Sequence, residues 1–318
     1  MKNKVSMEQK TVITLTAKAN DINQTIFNFI KKMFQTTPLS VVYKLFRNKK
    51  IKVNNKVVKE RKYKLRLGDQ IIIFDKNLVF TERQKQTTIL DAKLLPLQVV
   101  YEDKNILVVD KPHGVEMHSN FHVSLDSMVR NYLIQKKEYN PQDEQSFVIS
   151  HVHRLDKLTR GLVMYAKNKI ILDLLLTKIN QKEYIEKKYL AKCESIISED
   201  DFILTGYLYK DDHNKKMVFT KTAQPIARAV STHFIVQERL ANVTWLEGTL
   251  ITGRKHQIRA SLGYFHHPVV NDVKYGAQQI TKAYMIALYA TTLSFHKLPD
   301  HLSYLNEKVI KISENIIK

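Results

Sequence analysis

Cysteine and long apolar runs are nearly absent from this sequence. Its single cysteine, Cys193, excludes a disulfide within the chain and fits a reducing compartment. It lies in a predicted strand and is interpreted as a small core residue. No apolar stretch approaches the roughly 18 residues that a membrane span needs. No apolar segment follows residues 1–6 as it would in a signal peptide, so we expect a cytoplasmic protein.

Acidic residues are scarce relative to basic ones. The 318-residue chain has 51 Lys and Arg against 31 Asp and Glu, a formal net charge of +20. Such an excess attracts polyanions, so nucleic acid is the first partner to expect and an anionic membrane the second. The hydrophobic fraction of 44% is enough for a folded core. The length fits one large domain or two domains of roughly 100–200 residues each.

The first part of the chain predicts two short helices. Residues 1–20 are polar and are interpreted as an N-terminal tail. Asp21 is placed to cap a helix whose apolar residues recur at helical spacing: Ile22, Ile26, Phe29, Ile30 and Met33. Pro38 breaks this pattern, and Ser40 is placed to cap a second helix.

A basic hairpin is predicted after the helices. Two short alternating runs flank Asn54 and Asn55, and asparagine tolerates the positive φ of a tight turn. A strand is then predicted over Gln70–Phe74. Between Tyr43 and Arg66 the sequence has eleven Lys or Arg and one acid.

Residues 21–75 resemble the α-L RNA-binding domain, which occurs in some ribosomal proteins and in many bacterial pseudouridine synthases. The resemblance rests on the two helices, the K-V-N-x-K-V-V hairpin and the L-x-x-G-D segment before the strand. It departs at Asn55, where glycine is usual, and at 21–23, where R-L-D is usual. It implies phosphate contacts that position RNA without reading its sequence, from Lys44, Arg47, Lys49, Lys50, Lys52 and Lys56. The alternative is a small basic structural subdomain.

A second domain is predicted over residues 94–318, after a polar linker at 76–93. Its strands are predicted at 99–101, 106–109, 162–166, 188–191 and much of 228–252, and its helices at 124–137 and 168–182. Strands in runs with helices between them predict an α+β fold with a largely antiparallel or mixed sheet.

The most informative segment is 151–161, which places Arg154, Leu155 and Asp156 side by side before the apolar run at 162–166. A carboxylate next to an arginine at the end of a buried strand is suited to a reactive cleft. His151 and His153 lack a convincing third ligand, so loop-stabilising hydrogen bonds are expected rather than zinc. Residues 111–114 lack the spacing of a phosphate-binding loop.

Four segments resemble the RluA-type pseudouridine synthases in order and spacing. These are 101–114, H-R-L-D at 153–156, K-x-Y-x-A at 187–191, and T-G-R-x-H-Q-x-R at 252–259 with the residues up to 276 that follow it. The resemblance implies an enzyme that converts uridine to pseudouridine in RNA. Bacterial large-subunit ribosomal RNA is the implied substrate, with transfer RNA as the alternative, and a monomer is expected.

The resemblance assigns roles to seven residues. Asp156 is the implied catalytic carboxylate, Arg259 its ion-pair partner, and Tyr189 the ring that stacks on uracil and is placed to help remove the C5 proton. Four further residues are implied to bind substrate: Arg154 fills the base stack that the target vacates, Leu155 and Ile258 form apolar walls, and Arg254 contacts phosphate or supports the loop. Ordinary packing, a surface ion pair and simple phosphate contact are the structural alternatives.

The reaction needs no cofactor. It breaks the bond between C1′ and N1, turns the uracil and joins C5 to C1′, with no redox change and no external group. Asp156 either adds to C1′, as the nucleophile of a retaining glycosidase does, or removes the 2′ proton. The sequence leaves both routes open.

Several positions depart from the family pattern. Arg160 replaces Ser or Thr, Asn271 replaces glycine, Ser195 ends a segment where Val-x-Gly is more usual, and 260–261 replaces Val-His. Two rival functions are a non-catalytic RNA-binding factor and a hydrolase with Asp156 as nucleophile. The hydrolase would need a second carboxylate as acid, and the motif has none nearby.

Overall fold

The computed structural model describes residues 12–34, 37–75, 96–119, 121–279 and 285–313. The helices in these ranges are α1 Ile26–Met33, α2 Leu39–Arg47, α3 Leu125–Gln135, α4 Lys169–Lys178 and α5 Gln257–Tyr264. The strands are β1 Val12–Thr16, β2 Ile51–Val53, β3 Lys56–Val57, β4 Gln70–Phe74, β5 Gln98–Glu102, β6 Ile106–Lys111, β7 Ser150–His151, β8 Arg160–Ala166, β9 Ile185–Glu194, β10 Asp201–Asp211, β11 Lys216–Thr220, β12 Arg228–Leu240, β13 Val243–Leu250, β14 Leu288–Phe295 and β15 Val309–Lys311. None of these helices is long and apolar enough to cross a membrane.

The chain forms two compact units. The first comprises Met1–Asp91 with Leu133–Val148, and the second Ala92–Tyr132 with Ile149–Lys318. This division differs from the predicted boundaries, which place 133–148 in the second domain. Polar side chains of that segment bond to the N-terminal part of the chain, as Asn20 Nδ2 does to Glu144 Oε1 at 2.7 Å. The predicted linker, 76–93, lies outside the described residues.

The first unit packs α1 and α2 against an antiparallel sheet in the order β1-β4-β2-β3. Strand β1 falls in the predicted tail, yet it pairs with β4 from Val12 opposite Phe74 to Thr16 opposite Gln70. The core is apolar and includes Phe29, Ile30 and Leu45. The segment predicted as a tail therefore contributes an edge strand to the fold.

The helix starts differ from the predicted ones. Helix α1 begins at Ile26, where Thr25 Oγ1 accepts the backbone N–H of Asn28 at 3.2 Å. Asp21 instead accepts the backbone N–H of Lys18 at 3.0 Å, within a 3₁₀ turn over Ala19–Asp21. Helix α2 begins at Leu39 after Pro38, and Ser40 lies inside it rather than at its cap.

The predicted hairpin is confirmed. Asn54 and Asn55 have φ values of 49° and 65° between β2 and β3. Positive φ at both central residues is typical of the two-residue hairpin turn that matches strand twist. The Asn54 side chain also bonds to Asp69 and to the backbone of Gln70, which ties the turn to the start of β4.

The second unit is built on an eleven-stranded sheet whose main path runs β11-β10-β12-β13-β9-β14-β8-β6-β5. Among the described strands, β8 and β14 run parallel and the other pairs are antiparallel. The predicted α+β fold with a mixed sheet is thus confirmed. A core that includes Val108, Met164 and Phe295 packs beneath α4.

Gly161 permits the junction between β8 and β14. Its φ is 125°, and a Cβ atom there would lie 2.2 Å from the carbonyl oxygen of Ala290. A side chain would therefore collide with the backbone of β14. This close approach brings β14 against the beginning of β8, directly after the Asp156 loop.

Candidate active site

One cavity of about 310 Å³ brings together separate parts of the second unit. Most of its lining comes from the loop at 152–159, strand β9 and the segment 250–259, and Leu176, Ile179, Asn180 and Leu288 complete it. All seven residues predicted for the catalytic domain line it: Arg154, Leu155, Asp156, Tyr189, Arg254, Ile258 and Arg259. The structure thus places these predicted site residues together, although their positions in the chain span more than a hundred residues.

Asp156 lies in this cavity with its side chain 19% exposed. Its Oδ2 accepts a hydrogen bond from Arg259 Nη1 at 3.2 Å. Its Oδ1 lies 3.5 Å from Nε2 of His256. The carboxylate is therefore held on one side by a guanidinium and approached on the other by an imidazole.

Arg259 is fixed by a second carboxylate. Its Nε and Nη2 donate to the two oxygens of Asp272 at 2.6 and 2.9 Å, and both side chains are buried. Burial opposes a charged guanidinium, but the hydrogen bonds and charge of Asp272, with those of Asp156, raise the pKa of Arg259. The bidentate contact leaves the guanidinium little freedom to turn away from Asp156.

His256 links the carboxylate to Tyr275. It precedes α5 with a φ of 54°, and its Nδ1 lies 2.7 Å from the Tyr275 hydroxyl, which accepts the backbone N–H of Met217. Burial lowers the pKa of His256 to about 4 despite the Asp156 charge, so the imidazole is neutral at neutral pH. If the tyrosine donates to Nδ1, then Nε2 carries the proton that faces Asp156.

The loop after Asp156 is anchored by residues near the end of β6. Lys111 is fully buried, and its Nζ donates to the carbonyl oxygens of Pro112, Val115 and Lys157 at 2.9, 2.9 and 3.1 Å. His113 Nδ1 lies 2.6 Å from the carbonyl oxygen of Leu158. Burial lowers the pKa of Lys111 to about 8, although Asp156 and Asp110 oppose this.

Tyr189 and two apolar residues form the inner walls of the cavity. Tyr189 is 8% exposed, Leu155 5% and Ile258 4%. Burial, with a smaller contribution from the Asp156 charge, raises the pKa of the Tyr189 hydroxyl. Arg154 and Arg254 are exposed, so they present their charges to solvent at the rim.

The two histidines at the start of the loop stabilise it, as predicted. His151 Nδ1 lies 2.9 Å from Asp126 Oδ1, which also accepts the hydroxyl of Tyr165 at 2.8 Å. The backbone N–H of Met164 lies 3.2 Å from His153 Nε2. Among the described residues, no group of three His, Cys, Asp or Glu is arranged to hold a metal ion.

The departures from the family pattern have structural counterparts. Arg160 forms an ion pair with Asp110 at 2.9 Å. Ser195 and Asn271 stand where glycine is more usual, and both keep a left-handed backbone, with φ values of 71° and 70°. The Asn271 side chain donates to the carbonyl oxygen of Met285 at 2.9 Å.

Sequence reasoning assigned no role to Asp272, His256, Tyr275 or Lys111. All four belong to segments that carried the family resemblance. Their place in those motifs is the sequence feature that could have identified them as site residues. Their contacts with Arg259, Asp156 and the loop depend on tertiary packing, which a single sequence does not display.

The predicted RNA-contacting cations of the first unit fall into two groups. Lys44, Arg47, Lys49 and Lys56 are exposed and make no side-chain ion pair within the described ranges. We call these four residues the basic surface. Lys50 pairs with Asp75 at 3.0 Å, and Lys52 lies 5.3 Å from the centre of the Phe74 ring. These two lysines are engaged within the unit.

Comparison with known proteins adds independent findings. The family model described as RNA pseudouridylate synthase matches residues 105–263. An uncharacterized RNA pseudouridine synthase of Mycoplasma capricolum is 42% identical over 292 residues, which cover 92% of this chain and 94% of that protein. The ribosomal large subunit pseudouridine synthase C of Buchnera aphidicola subsp. Baizongia pistaciae is 30% identical over 264 residues, 82% of this chain and 80% of that protein.

Solved structures show a similar fold. The human RNA Pseudouridylate Synthase Domain Containing 4 matches with a TM-score of 0.54 and 20% identity, over 68% of this chain and 88% of that one. At this identity the likeness concerns the fold alone.

Proposed function

The chain belongs to the RNA pseudouridylate synthase family, and from this membership we propose a specific substrate and catalytic residue. The protein is an RNA pseudouridine synthase, an isomerase. We propose that it modifies uridines of large-subunit ribosomal RNA in the cytoplasm and that Asp156 is the catalytic carboxylate.

The observation that carries the proposal for Asp156 is its ion pair with Arg259 inside the cavity. A carboxylate that attacks a sugar carbon or removes a proton must be held at a fixed position, and the Arg259 guanidinium donates a hydrogen bond to Asp156 at 3.2 Å. Asp272 holds that guanidinium in place. The arrangement therefore supports a preorganised base or nucleophile.

The chemistry follows from placing the target nucleotide in the cavity. Asp156 lies beside C1′ of the ribose and either adds to it or removes the 2′ proton while the bond to N1 breaks. Tyr189 offers its ring to the detached uracil. Its raised pKa keeps the hydroxyl protonated, so it would carry the C5 proton only after donating its own. The turned uracil then joins C1′ through C5. In the first route this breaks the bond between Asp156 and C1′, and in the second Asp156 returns the proton to C2′. Loss of the C5 proton and protonation of N1 complete the isomerisation.

The cavity lining favours isomerisation over hydrolysis. Among the described residues that line it, Asp156 is the one carboxylate. A glycoside hydrolase requires a second acid near the bond that breaks. Asp272 does not supply it, because both of its oxygens are bonded to Arg259 and it is 1% exposed.

We further propose that the first unit binds RNA through the basic surface. Its exposed cations have no internal partner in the described ranges, so phosphates are suitable counterions. Arg154 and Arg254 at the rim would contact RNA near the target, with Arg154 taking the place of the extruded base. The choice of large-subunit ribosomal RNA is supported by relatives whose names state that substrate.

Pseudouridine mapping tests the whole proposal. Ribosomal and transfer RNA would be labelled with carbodiimide and read by primer extension, from cells with the gene, without it, and with an Asp156→Asn copy. We expect one or a few large-subunit signals that disappear without the gene and do not return with the variant. Loss of transfer RNA signals instead would contradict the substrate, and signals restored by Asp156→Asn would contradict the catalytic residue.

A further inference from the structure

The second unit contains two deeply buried lysines with opposite surroundings. Lys111 is 0% exposed and Lys187 7% exposed, and burial lowers the pKa of each to about 8. The three N–H groups of Lys111 meet three carbonyl oxygens. Within the described residues, Lys187 Nζ has one acceptor, the carbonyl oxygen of Ile179, and no carboxylate partner.

An ammonium with open N–H groups in a buried position is costly unless something bonds to it. Lys187 lines the cavity, whereas Lys111 does not. Its open N–H groups therefore have room for an acceptor from outside the protein. The burial of Lys111 is accounted for by the loop carbonyls to which it donates. The burial of Lys187 has no such account within the fold.

The surroundings of Lys187 leave space above the ammonium. A Cβ atom at Gly253 would lie 3.8 Å from Lys187 Nζ and 3.1 Å from Asn180 Oδ1. Gly253 thus keeps this corner of the cavity open. The side-chain amide of Asn180, an exposed residue, lies at the same corner.

Lys187 and Tyr189 project from the same face of β9, which alternates between buried and half-buried residues. Two residues along a strand are separated by roughly 6.6 Å. A uracil whose sugar lies at Asp156 and whose ring stacks on Tyr189 would present its far edge toward Lys187. We propose that Lys187 donates a hydrogen bond to a carbonyl oxygen of the target uracil and so helps to select it.

A phosphate oxygen is the other RNA acceptor to consider. The exposed residues Arg154, Arg254 and Lys255 already offer cations at the cavity rim, where a solvated backbone would run. Lys187 also lines the cavity but is only 7% exposed. A base that enters the cavity therefore suits Lys187 better than a phosphate that stays outside.

The geometry of the reaction allows one hydrogen-bond donor to bind a uracil oxygen both before and after the base turns. Exchanging the bond at N1 for a bond at C5 turns the uracil about the axis through N3 and C6. That turn exchanges the positions of the C2 and C4 carbonyl oxygens, so one donor meets an oxygen before and after it. Cytosine has an amino group at C4, which would face the ammonium as a second donor in one of the two orientations.

This inference rests on the proposed placement of the target nucleotide beside Asp156, and the experiment separates the two. Single-turnover rates would be measured with the full-length protein on the RNA identified by mapping, with uridine or 4-thiouridine at the target. Lys187→Met should lower the rate on uridine by about 10- to 100-fold, the size expected for one charged hydrogen bond. Sulfur is a weaker hydrogen-bond acceptor than oxygen, so the wild type should react more slowly with 4-thiouridine than with uridine. We call the ratio of these two rates the thio effect. In Lys187→Met the thio effect should be less than about twofold.

Lys188→Met is the matched control. Lys188 is the next residue on β9, lies outside the cavity and pairs with Glu247 at 2.8 Å. It should keep the wild-type rate and the wild-type thio effect. If Lys187→Met does not fold, Gly253→Ala replaces it, because the added methyl narrows the same corner and should reduce the thio effect.

The outcomes distinguish the possibilities. A full thio effect in the Lys187 or Gly253 variant overturns the inference, as does a wild-type rate in Lys187→Met. A methylphosphonate beside the target that removes the Lys187→Met defect would assign the lysine to phosphate and also overturn it. An inactive wild type or an active Asp156→Asn would instead refute the proposed function.

Discussion

Arg259 and the basic surface carry the same charge in opposite settings. Arg259 is 3% exposed and directs its N–H groups to Asp272 and Asp156. Lys44, Arg47, Lys49 and Lys56 face solvent without an ion-pair partner in the described ranges. The fold holds the charge of Arg259 in place. The four charges of the basic surface are free to pair with anions from outside the protein.

This contrast separates two uses of positive charge in one chain. A fixed charge in a place of low dielectric acts on one atom at a defined distance, which is what a reaction needs. Free charges in water act over the screening length and add affinity without specifying a geometry. We therefore expect substitutions in the first setting to change turnover and substitutions in the second to change binding.

The largest effect is expected at the carboxylate that Arg259 serves. Asp156→Asn removes the proposed base or nucleophile and should lower the turnover rate by about four orders of magnitude. Affinity for RNA should stay within a few-fold, because most of it comes from phosphate contacts elsewhere. Single-turnover kinetics and filter binding would measure both quantities. Persistent turnover would remove the basis for treating the Asp156–Arg259 pair as catalytic.

Asp272→Asn should have the next largest effect. It leaves Arg259 buried with a neutral neighbour, and we expect a loss of about 100-fold in kcat with a small change in KM. The free energy of unfolding should fall by about 3 kcal/mol, because the buried charge loses the carboxylate that makes two of its three hydrogen bonds. Denaturant unfolding would measure this.

A matched control for Asp272→Asn is Asp200→Asn. Asp200 pairs with Arg239 at the surface, with its own side chain 85% exposed. A surface pair of this kind contributes about 0–1 kcal/mol, and turnover should not change. Equal losses of stability and turnover in Asp272→Asn and Asp200→Asn would contradict the proposed difference between fixed and free charges.

Neutralising the basic surface should affect binding alone. Replacing Lys44, Arg47, Lys49 and Lys56 with Gln would remove up to four proposed phosphate contacts and should reduce the slope of log affinity against log salt by about 3. At saturating RNA, kcat should stay within about twofold. An unchanged salt slope would show that these residues do not contact phosphate.

The smallest effect is expected in the hairpin that presents Lys56. Asn55→Gly keeps the left-handed turn and should change the free energy of unfolding by less than about 1 kcal/mol. Asn55→Val places a β-branched residue at φ 65° and should cost about 1–2 kcal/mol. Thermal unfolding would measure both. Equal stabilities would contradict a strict need for this backbone conformation.

Local patterns predicted much of the fold. The strand at Gln70–Phe74, the turn at Asn54 and Asn55, and the mixed sheet follow from alternation and turn chemistry, which act between neighbouring residues. Strand β1 was missed because its five residues become a strand by pairing with β4, more than fifty residues later. The start of α1 was misplaced because Asp21 bonds to a different partner.

The site also combines residues that local motifs predict with residues that only tertiary packing brings together. Asp156, Tyr189 and Arg259 belong to recognisable motifs, and the cavity brings them together. The partners that hold them, Asp272 for Arg259 and Lys111 for the loop, depend on which segments the fold makes adjacent. Lys187 stands inside a recognised motif as well, but its incomplete hydrogen bonding becomes visible only when its surroundings are known.

The position of β14 has a consequence for biosynthesis. This strand lies between β8, which follows the Asp156 loop, and β9, which carries Tyr189, and its backbone fits against Gly161. Because β14 is translated after β9 to β13 and α5, the two halves of the cavity have no shared strand until it emerges. The nascent chain should therefore remain inactive through most of its synthesis and become competent to modify RNA only when β14 has been inserted.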